Sequence, residues 1–329
     1  MRRLPVELVL LGAALAACVP TPAPAPAATA DARAELRDLI ADVTAATAHR
    51  YRVTDDRGRW MDTLKPIEIR EASTFAAVYH TWSDADAAFH VNLATSDDLL
   101  SWTWKVELAT LASQPTIAAA VGGGYVVAWE QEPDPIHIVV AYFRSWQALQ
   151  GGSPDRRFDV PVTMRACGEG TPSIDEATTD RVALSFHYHG SCERDLQASG
   201  ATDWSTWSAR EERARDLALI ELGVEGHIGD RDRLSFHGRD LMLLEGQIVP
   251  EDFGSQRIFL VDPQANHALQ LMFRTDAGSV AAGNPTIGLM DVGGQPAIVV
   301  TLYLFAEGAR GEEDGPLLFY RTLSDQPSL

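Results

Sequence analysis

The chain is poor in positive charge and poor in cysteine. Its 329 residues carry 27 Lys+Arg against 46 Asp+Glu, a formal charge of −19, and loss of Arg2, Arg3 and Glu7 with a leader would bring it to about −20. Such a surface repels nucleic acid and anionic lipid headgroups, so neither is an expected partner. Of the three cysteines, Cys167 and Cys192 lie in the body of the chain without a CxxC or Cys/His cluster. In an exported protein such a pair reads as one disulfide rather than as metal ligands. Long apolar runs are scarce as well: Leu8 to Ala17 is too short to cross a bilayer as a mature helix.

That run has another use. Arg2 and Arg3 precede it and small residues lead into Cys18, the layout of an export signal. Leu15-Ala16-Ala17-Cys18 resembles the lipobox of bacterial lipoproteins, which implies a signal over residues 1–17, lipidation of Cys18 and an extracytoplasmic protein that meets the membrane only through its anchor. A plain cleaved secretory signal is the alternative. The Pro/Ala tract that completes residues 18–30 cannot build a core and is expected to act as a semi-rigid tether. Leu36, Leu39, Ile40 and Val43 then recur at helical spacing and predict a helix from Asp31 to about Thr47, within a segment 31–50 that closes the fold and carries no chemistry.

Residues 51–329 read as all-β. Gln114-Pro115-Thr116-Ile117, Thr171-Pro172-Ser173-Ile174 and Asn284-Pro285-Thr286-Ile287 each open a short extended run, and Lys65-Pro66-Ile67 is a looser fourth case. The period of roughly 50 to 60 residues is that of a four-stranded propeller blade with generous loops. Strand, tight turn, strand, turn, strand can be followed through five units, with Gly122-Gly123-Gly124 and Gly293-Gly294 among the turns. Ser96-Asp97-Asp98-Leu99-Leu100-Ser101-Trp102 follows the first unit, and Ser145 to Leu149 and Asp203 to Trp207 occupy matching places. An Asp there caps a turn while the Trp packs between sheets, a structural role rather than sugar stacking. The fold class is therefore a five-bladed β-propeller with a short N-terminal helix.

The five repeats, the S-x-D-L-x-x-W element and Cys167-Gly168-Glu169-Gly170-Thr171-Pro172 resemble the five-bladed propeller glycoside hydrolases of the arabinanase, xylosidase and invertase type. The resemblance implies Glu169 as general acid, and it likens Arg231-Asp232 to an Arg-Asp-Pro element whose Asp stabilises the transition state, with Arg233 here in place of Pro. It also implies carboxylates opening the first and second blades, where the repeat alignment puts Lys65 and Gln114. Hydrolysis needs an acid and a base at a defined separation, and neither residue supplies a base in its ordinary state.

Propeller topology puts the start of each first strand and the end of each second strand on one rim. Gln114, Glu169, Asp230, Asp232 and Asn284 come from the openings, and His80, Glu130, His187 and Glu245 from the second strands. The same rule brings Cys167 and Cys192 to one face. Glu130 and Glu245 follow apolar runs and need a polar cavity or a partner. His187 and His189 share a strand face and could seed a metal site, but without a third ligand they read as polar rim residues, and no metal or cofactor is assigned. The expectation is a surface-anchored, monomeric, glycan-active protein, with Glu169, Asp232 and Glu245 (or Glu130) as catalytic carboxylates and His80, Gln114, Glu130, His187, Asp230 and Asn284 holding a glycan. The alternatives are a non-catalytic propeller that binds glycan or another surface ligand, and a sialidase-like propeller, which would want six blades.

Overall fold

The computed structural model describes residues 31–132, 135–164, 167–190 and 192–323. Residues 1–17, Cys18 and the tether through residue 30 lie outside them. No helix among the described residues is long and apolar enough to cross a membrane.

Five four-stranded antiparallel sheets succeed one another along the chain. After β1 (Ala48–Tyr51), the first blade comprises β2 (Asp62–Ile69), β3 (Thr74–Ser83), β4 (Ala88–Ser96) and β5 (Thr103–Thr110). The second comprises β6 (Ala112–Ala119), β7 (Tyr125–Gln131), β8 (His137–Phe143) and β9 (Arg156–Asp159). The third is β10 (Glu169–Ala177), β11 (Val182–Gly190), β12 (Arg194–Thr202) and β13 (Trp207–Glu211), and the fourth is β14 (Arg231–Phe236), β15 (Arg239–Gln247), β16 (Gln256–Asp262) and β17 (His267–Leu271). The fifth holds β18 (Ala282–Val292), β19 (Gln295–Leu304) and β20 (Gly315–Thr322), and takes β1 as its outer strand.

That exchange closes the ring. The predicted helix is shorter than its apolar spacing implied: α1 spans Ala32–Ile40, a 3-10 turn follows at Val43–Ala45, and residues 48–51 pair with β20. The apolar face itself is as read, since Leu36, Ile40 and Val43 are buried among side chains of the fourth and fifth blades, including Leu243, Leu260, Val300 and Phe319. Asp98 accepts from the backbone N–H groups of Leu100 and Ser101, and Trp102 is buried with its indole N–H on the Leu99 carbonyl. In each of the first three blades the chain passes through such a segment from the third strand into an outer fourth strand.

Each inner strand of the first, second, third and fifth blades carries a bulge, with a left-handed residue at Thr63 (φ 47°), Gln114 (φ 50°), Thr171 (φ 46°) and Asn284 (φ 48°). The pairing of Asp62 with His80 and Lys65 with Val78 is equivalent to Ser113 with Glu130 and Thr116 with Ala128. The first blade is thus phased two residues earlier than the Lys65-Pro66 match suggested: Asp62-Thr63 is its opening, and Lys65 lies one layer deeper.

In that deeper layer Lys65 Nζ forms an ion pair with Asp232 and donates to the Ile287 carbonyl at 3.0 Å. Asp232 also accepts from Ile287 N–H at 2.8 Å and from the Ser173 hydroxyl at 3.3 Å. Four blades meet at this plug. Below it the axis is lined by Ile67, Ile117, Ile174, Leu234, Ile287 and Leu289. Removing one partner of a buried pair typically costs about 3–5 kcal/mol, whereas replacing both with apolar groups is often neutral. Lys65→Met should therefore lower the unfolding free energy by about 3–5 kcal/mol, and Lys65→Met/Asp232→Leu should recover most of it in urea denaturation. A double variant no more stable than the single one would contradict this account.

Candidate functional site

On the other side of the plug the blades build a ring. Two residues beyond the plug layer each second strand contributes one side chain, His80, Glu130, His187, Glu245 and Tyr303, facing Asp62, Ser113, Gly170, Asp230 and Gly283 on the first strands. The left-handed bulges turn their amides toward the neighbouring blade. His80 Nδ1 accepts the Gln114 N–H at 3.1 Å, Glu130 Oε2 accepts that of Thr171 at 3.0 Å, and Glu245 Oε2 accepts that of Asn284 at 2.6 Å. Glycine makes room for the carboxylates. A Cβ on Gly170 would lie 1.9 Å from Glu130 Oε2, and one on Gly229 would lie 2.1 Å from Glu245 Oε1.

Asn284 joins two of the acids. Its backbone serves Glu245, and its side-chain Nδ2 donates to Asp62 Oδ1 at 3.0 Å. Asp62 Oδ1 also takes the Thr63 N–H at 2.7 Å, and Oδ2 is 3.3 Å from His80 Nε2. One asparagine therefore bonds to both carboxyl groups. Between Glu245 and the axis sits Asp230, buried, with neither oxygen hydrogen-bonded to any described residue. Arg231 beside it donates to the Thr171 carbonyl, to Thr171 Oγ1 at 2.9 Å and to the Gly229 carbonyl. The axial pit lined by Thr63, Gln114, Thr171, Asp230 and Arg231 has a volume of about 20 Å³, room for roughly one water molecule.

Burial sets the protonation of the ring. Desolvation, reinforced by their mutual charge, raises Asp230 and Glu245 well above the ordinary carboxylate range, so that this pair retains a proton near neutrality. Burial also lifts Glu130 to about 7 and pushes His187 down to about 4, which leaves the imidazole neutral. At the mouth an arc of aromatic rings follows the fifth blade: Trp60 to Tyr303 at 6.4 Å, Tyr303 to Phe305 at 5.3 Å and Phe305 to Phe253 at 5.2 Å. Trp60 is 39% and Phe253 49% exposed, so their faces are open to a ligand.

His80, Gln114, Glu130, His187, Asp230, Glu245 and Asn284 are thus brought to one rim. Two expected residues are engaged in other contacts. Glu169 is buried with Oε1 accepting from the backbone N–H groups of Thr163 (2.6 Å) and Met164 (2.5 Å), where it holds the loop beside the Cys167–Cys192 disulfide, whose Cα atoms are 5.5 Å apart. Asp232 is paired with Lys65 in the plug, and both line the same axial pit as Asp230 and Arg231. Asp62, Arg231 and the aromatic arc were not among the expected site residues. Correct phasing of the first repeat would have exposed Asp62, because it precedes the bulge as Ser113 and Gly283 do.

No protein-family model matches the chain, and no curated protein matches it. Solved structures do share its fold. A thermostable family-43 glycoside hydrolase superposes with a TM-score of 0.52 at 10% identity, covering 84% of this chain and 94% of that one. An endo-arabinase from Bacteroides thetaiotaomicron VPI-5482 gives 0.51 at 11% identity, over 84% and 99%. A family 117 glycoside hydrolase from the marine bacterium Zobellia galactanivorans gives 0.50 at 10% identity, over 83% and 90%. The chain shares the five-bladed propeller architecture of these glycoside hydrolases, and the five blades leave the six-bladed sialidase-like alternative without support.

The ring makes a pH-dependent contribution to stability. Glu130 rises from 4.5 unfolded to about 7 folded, so its favourable term is complete below pH 4.5 and is lost as pH climbs through 7, on the order of 3 kcal/mol in all. His187 has the opposite sign between pH 4 and 6.5, because the unfolded chain binds the proton that the folded one releases. Glu130→Gln should therefore become more stable relative to wild type as pH rises from 5 to 8. Thermal melting curves that shift in parallel for both proteins over that range would rule the assignment out.

Proposed function

We propose that this chain is a glycan-active propeller that hydrolyses a glycosidic bond at the ring. The observation that carries the reading is the span of Asn284 between Asp62 and Glu245, two carboxyl groups in unlike settings. The buried Glu245–Asp230 pair retains a proton and supplies the acid. Asp62, fixed by Thr63, Asn284 and His80, accepts the proton of an attacking water. Unlike environments of this kind divide two carboxyls into donor and acceptor. Gln114, Asn284 and Arg231 offer donors to hydroxyls, and the arc from Trp60 to Phe253 offers faces to sugar rings. Glu169, bound to its loop, is assigned no part in the chemistry. Shared architecture with glycoside hydrolases supports the substrate class without naming a sugar or linkage.

The narrow pit favours a second reading, a propeller that binds glycan at its mouth without cleaving it. Asp62→Asn and Glu245→Gln should each lower kcat on a panel of aryl glycosides and polysaccharides by about 10²-fold or more, while Glu169→Gln leaves it near wild type. Trp60→Ala should weaken oligosaccharide binding by about fivefold, since ring stacking contributes on the order of 1 kcal/mol. Binding without turnover by the wild type would establish the second reading, and loss of turnover in Glu169→Gln alone would return the acid to that residue.

The proposal includes location. The order of Arg2-Arg3, the apolar run, Cys18 and the Pro/Ala tract supports a lipid-anchored extracytoplasmic protein. Cys18→Ser should release the protein from the membrane fraction and abolish incorporation of labelled palmitate; unchanged fractionation and labelling would dismiss the anchor.

A further inference from the structure

Beside the ring, between the third and fourth blades, lies a cluster that the proposed hydrolysis does not use. His187 and His189 project from β11, Asp195 stands at the start of β12, and His227 comes from the connection into the fourth blade. One ligand atom each from His187, His189 and Asp195 lie within 4.8 Å of one another. His189 Nδ1 is 2.7 Å and His187 Nε2 is 3.8 Å from Asp195 Oδ1. These separations bracket the roughly 3.3 Å expected between ligands around a tetrahedral zinc with bonds near 2.0–2.1 Å.

One buried carboxylate oxygen, Asp195 Oδ1, draws two imidazoles to itself, His189 at 2.7 Å and His187 at 3.8 Å. Three potential ligand atoms gathered this closely, from two strands of one blade, are disposed to share a common third centre. Outer contacts fix the set. His227 Nδ1 lies 2.9 Å from Asp195 Oδ2, and Thr171 Oγ1 lies 2.6 Å from His187 Nδ1, which leaves Nε2 of that ring to face the carboxylate. Histidine and carboxylate ligands oriented by such partners are characteristic of metal sites. The neighbouring acid Glu130 lowers the cost of a cation there.

We propose that His187, His189 and Asp195 bind one divalent transition-metal ion of the zinc class, with His227 orienting the carboxylate and at least one coordination position left to water or a ligand. Histidine and carboxylate ligands suit zinc better than the all-oxygen shells preferred by calcium or magnesium. The site would tie β11 to β12 and to the connection entering the fourth blade, and would place a positive centre beside the glycan rim. It does not depend on whether the chain cleaves glycan.

The test uses chelator-stripped protein titrated with Zn²⁺ alone, read by calorimetry and by elemental analysis after gel filtration. One ion per chain is expected, with a rise in melting temperature that EDTA reverses. His189→Ala and Asp195→Asn should each weaken binding tenfold or more. His90→Ala should leave it unchanged, although His90 also faces two carboxylates, Asp86 and Glu107. Failure of the wild type to retain zinc, wild-type affinity in both cluster variants, or loss of binding in His90→Ala instead would each overturn the proposal. The wild-type measurement decides the matter even where a variant folds poorly.

Discussion

Everything on the functional face rests on one buried ion pair. Lys65 is one of only two lysines in the chain, and it is placed at the propeller axis against Asp232. Two charges there are costly to desolvate, and the cost is offset by their mutual attraction and by further bonds: the Ile287 carbonyl accepts one ammonium N–H, and Ile287 N–H and Ser173 supply donors to the carboxylate. The first, third, fourth and fifth blades are thereby fixed at one level. The layer above inherits that registration, so second-strand residues from different blades arrive at a common height. An apolar plug would close the axis equally well, but it would not set the angular positions of the blades through directed bonds.

The architecture was legible because the Pro-x-Ile openings repeat and strand alternation is simple. Phase was harder to read. In the second, third and fifth blades proline directly follows the left-handed residue, whereas in the first Leu64 takes that place and Pro66 stands where the others have isoleucine. Matching proline to proline therefore slid the first repeat by two residues and hid Asp62 behind Lys65. The left-handed positions gave no independent warning, since threonine, glutamine and asparagine occupy them instead of glycine. They are held by tertiary contacts, the amides being taken by His80, Glu130 and Glu245.

The second-strand ring was readable for the opposite reason. His80, Glu130, His187 and Glu245 each end an apolar strand at the same distance from the axis, and period-two alternation fixes their facing without detailed packing knowledge. Glu169 escaped the same logic by one residue: Gly170 faces Glu130, and its neighbour is turned to the loop at Thr163 and Met164. A single position along a strand separates a rim carboxylate from a loop clamp. The third member of the His187 cluster was equally out of reach, because Asp195 follows a turn whose geometry only the disulfide-linked fold defines.

The ring is also expensive in a way that stability alone does not explain. Asp230 and Glu245 are buried and Glu130 is partly so, and Gly170, Gly229 and Gly283 forgo side chains to admit two of them. Buried carboxyls without charged partners destabilise unless they are protonated, and glycines within strands add a conformational cost. The plug layer immediately below pairs its charges with each other and with neighbouring backbone groups. An arrangement one layer higher that leaves both Asp230 oxygens without partners is therefore a local exception, confined to the end of the axis that opens toward the aromatic arc. Unsatisfied acceptors beside a full donor such as Arg231 are what a hydroxyl-rich ligand can complete, since each sugar hydroxyl both donates and accepts. On the proposed reading, the free protein bears the desolvation cost that a bound glycan would otherwise have to meet, and the binding energy so conserved would be available to hold the scissile bond against Asp62 and Glu245.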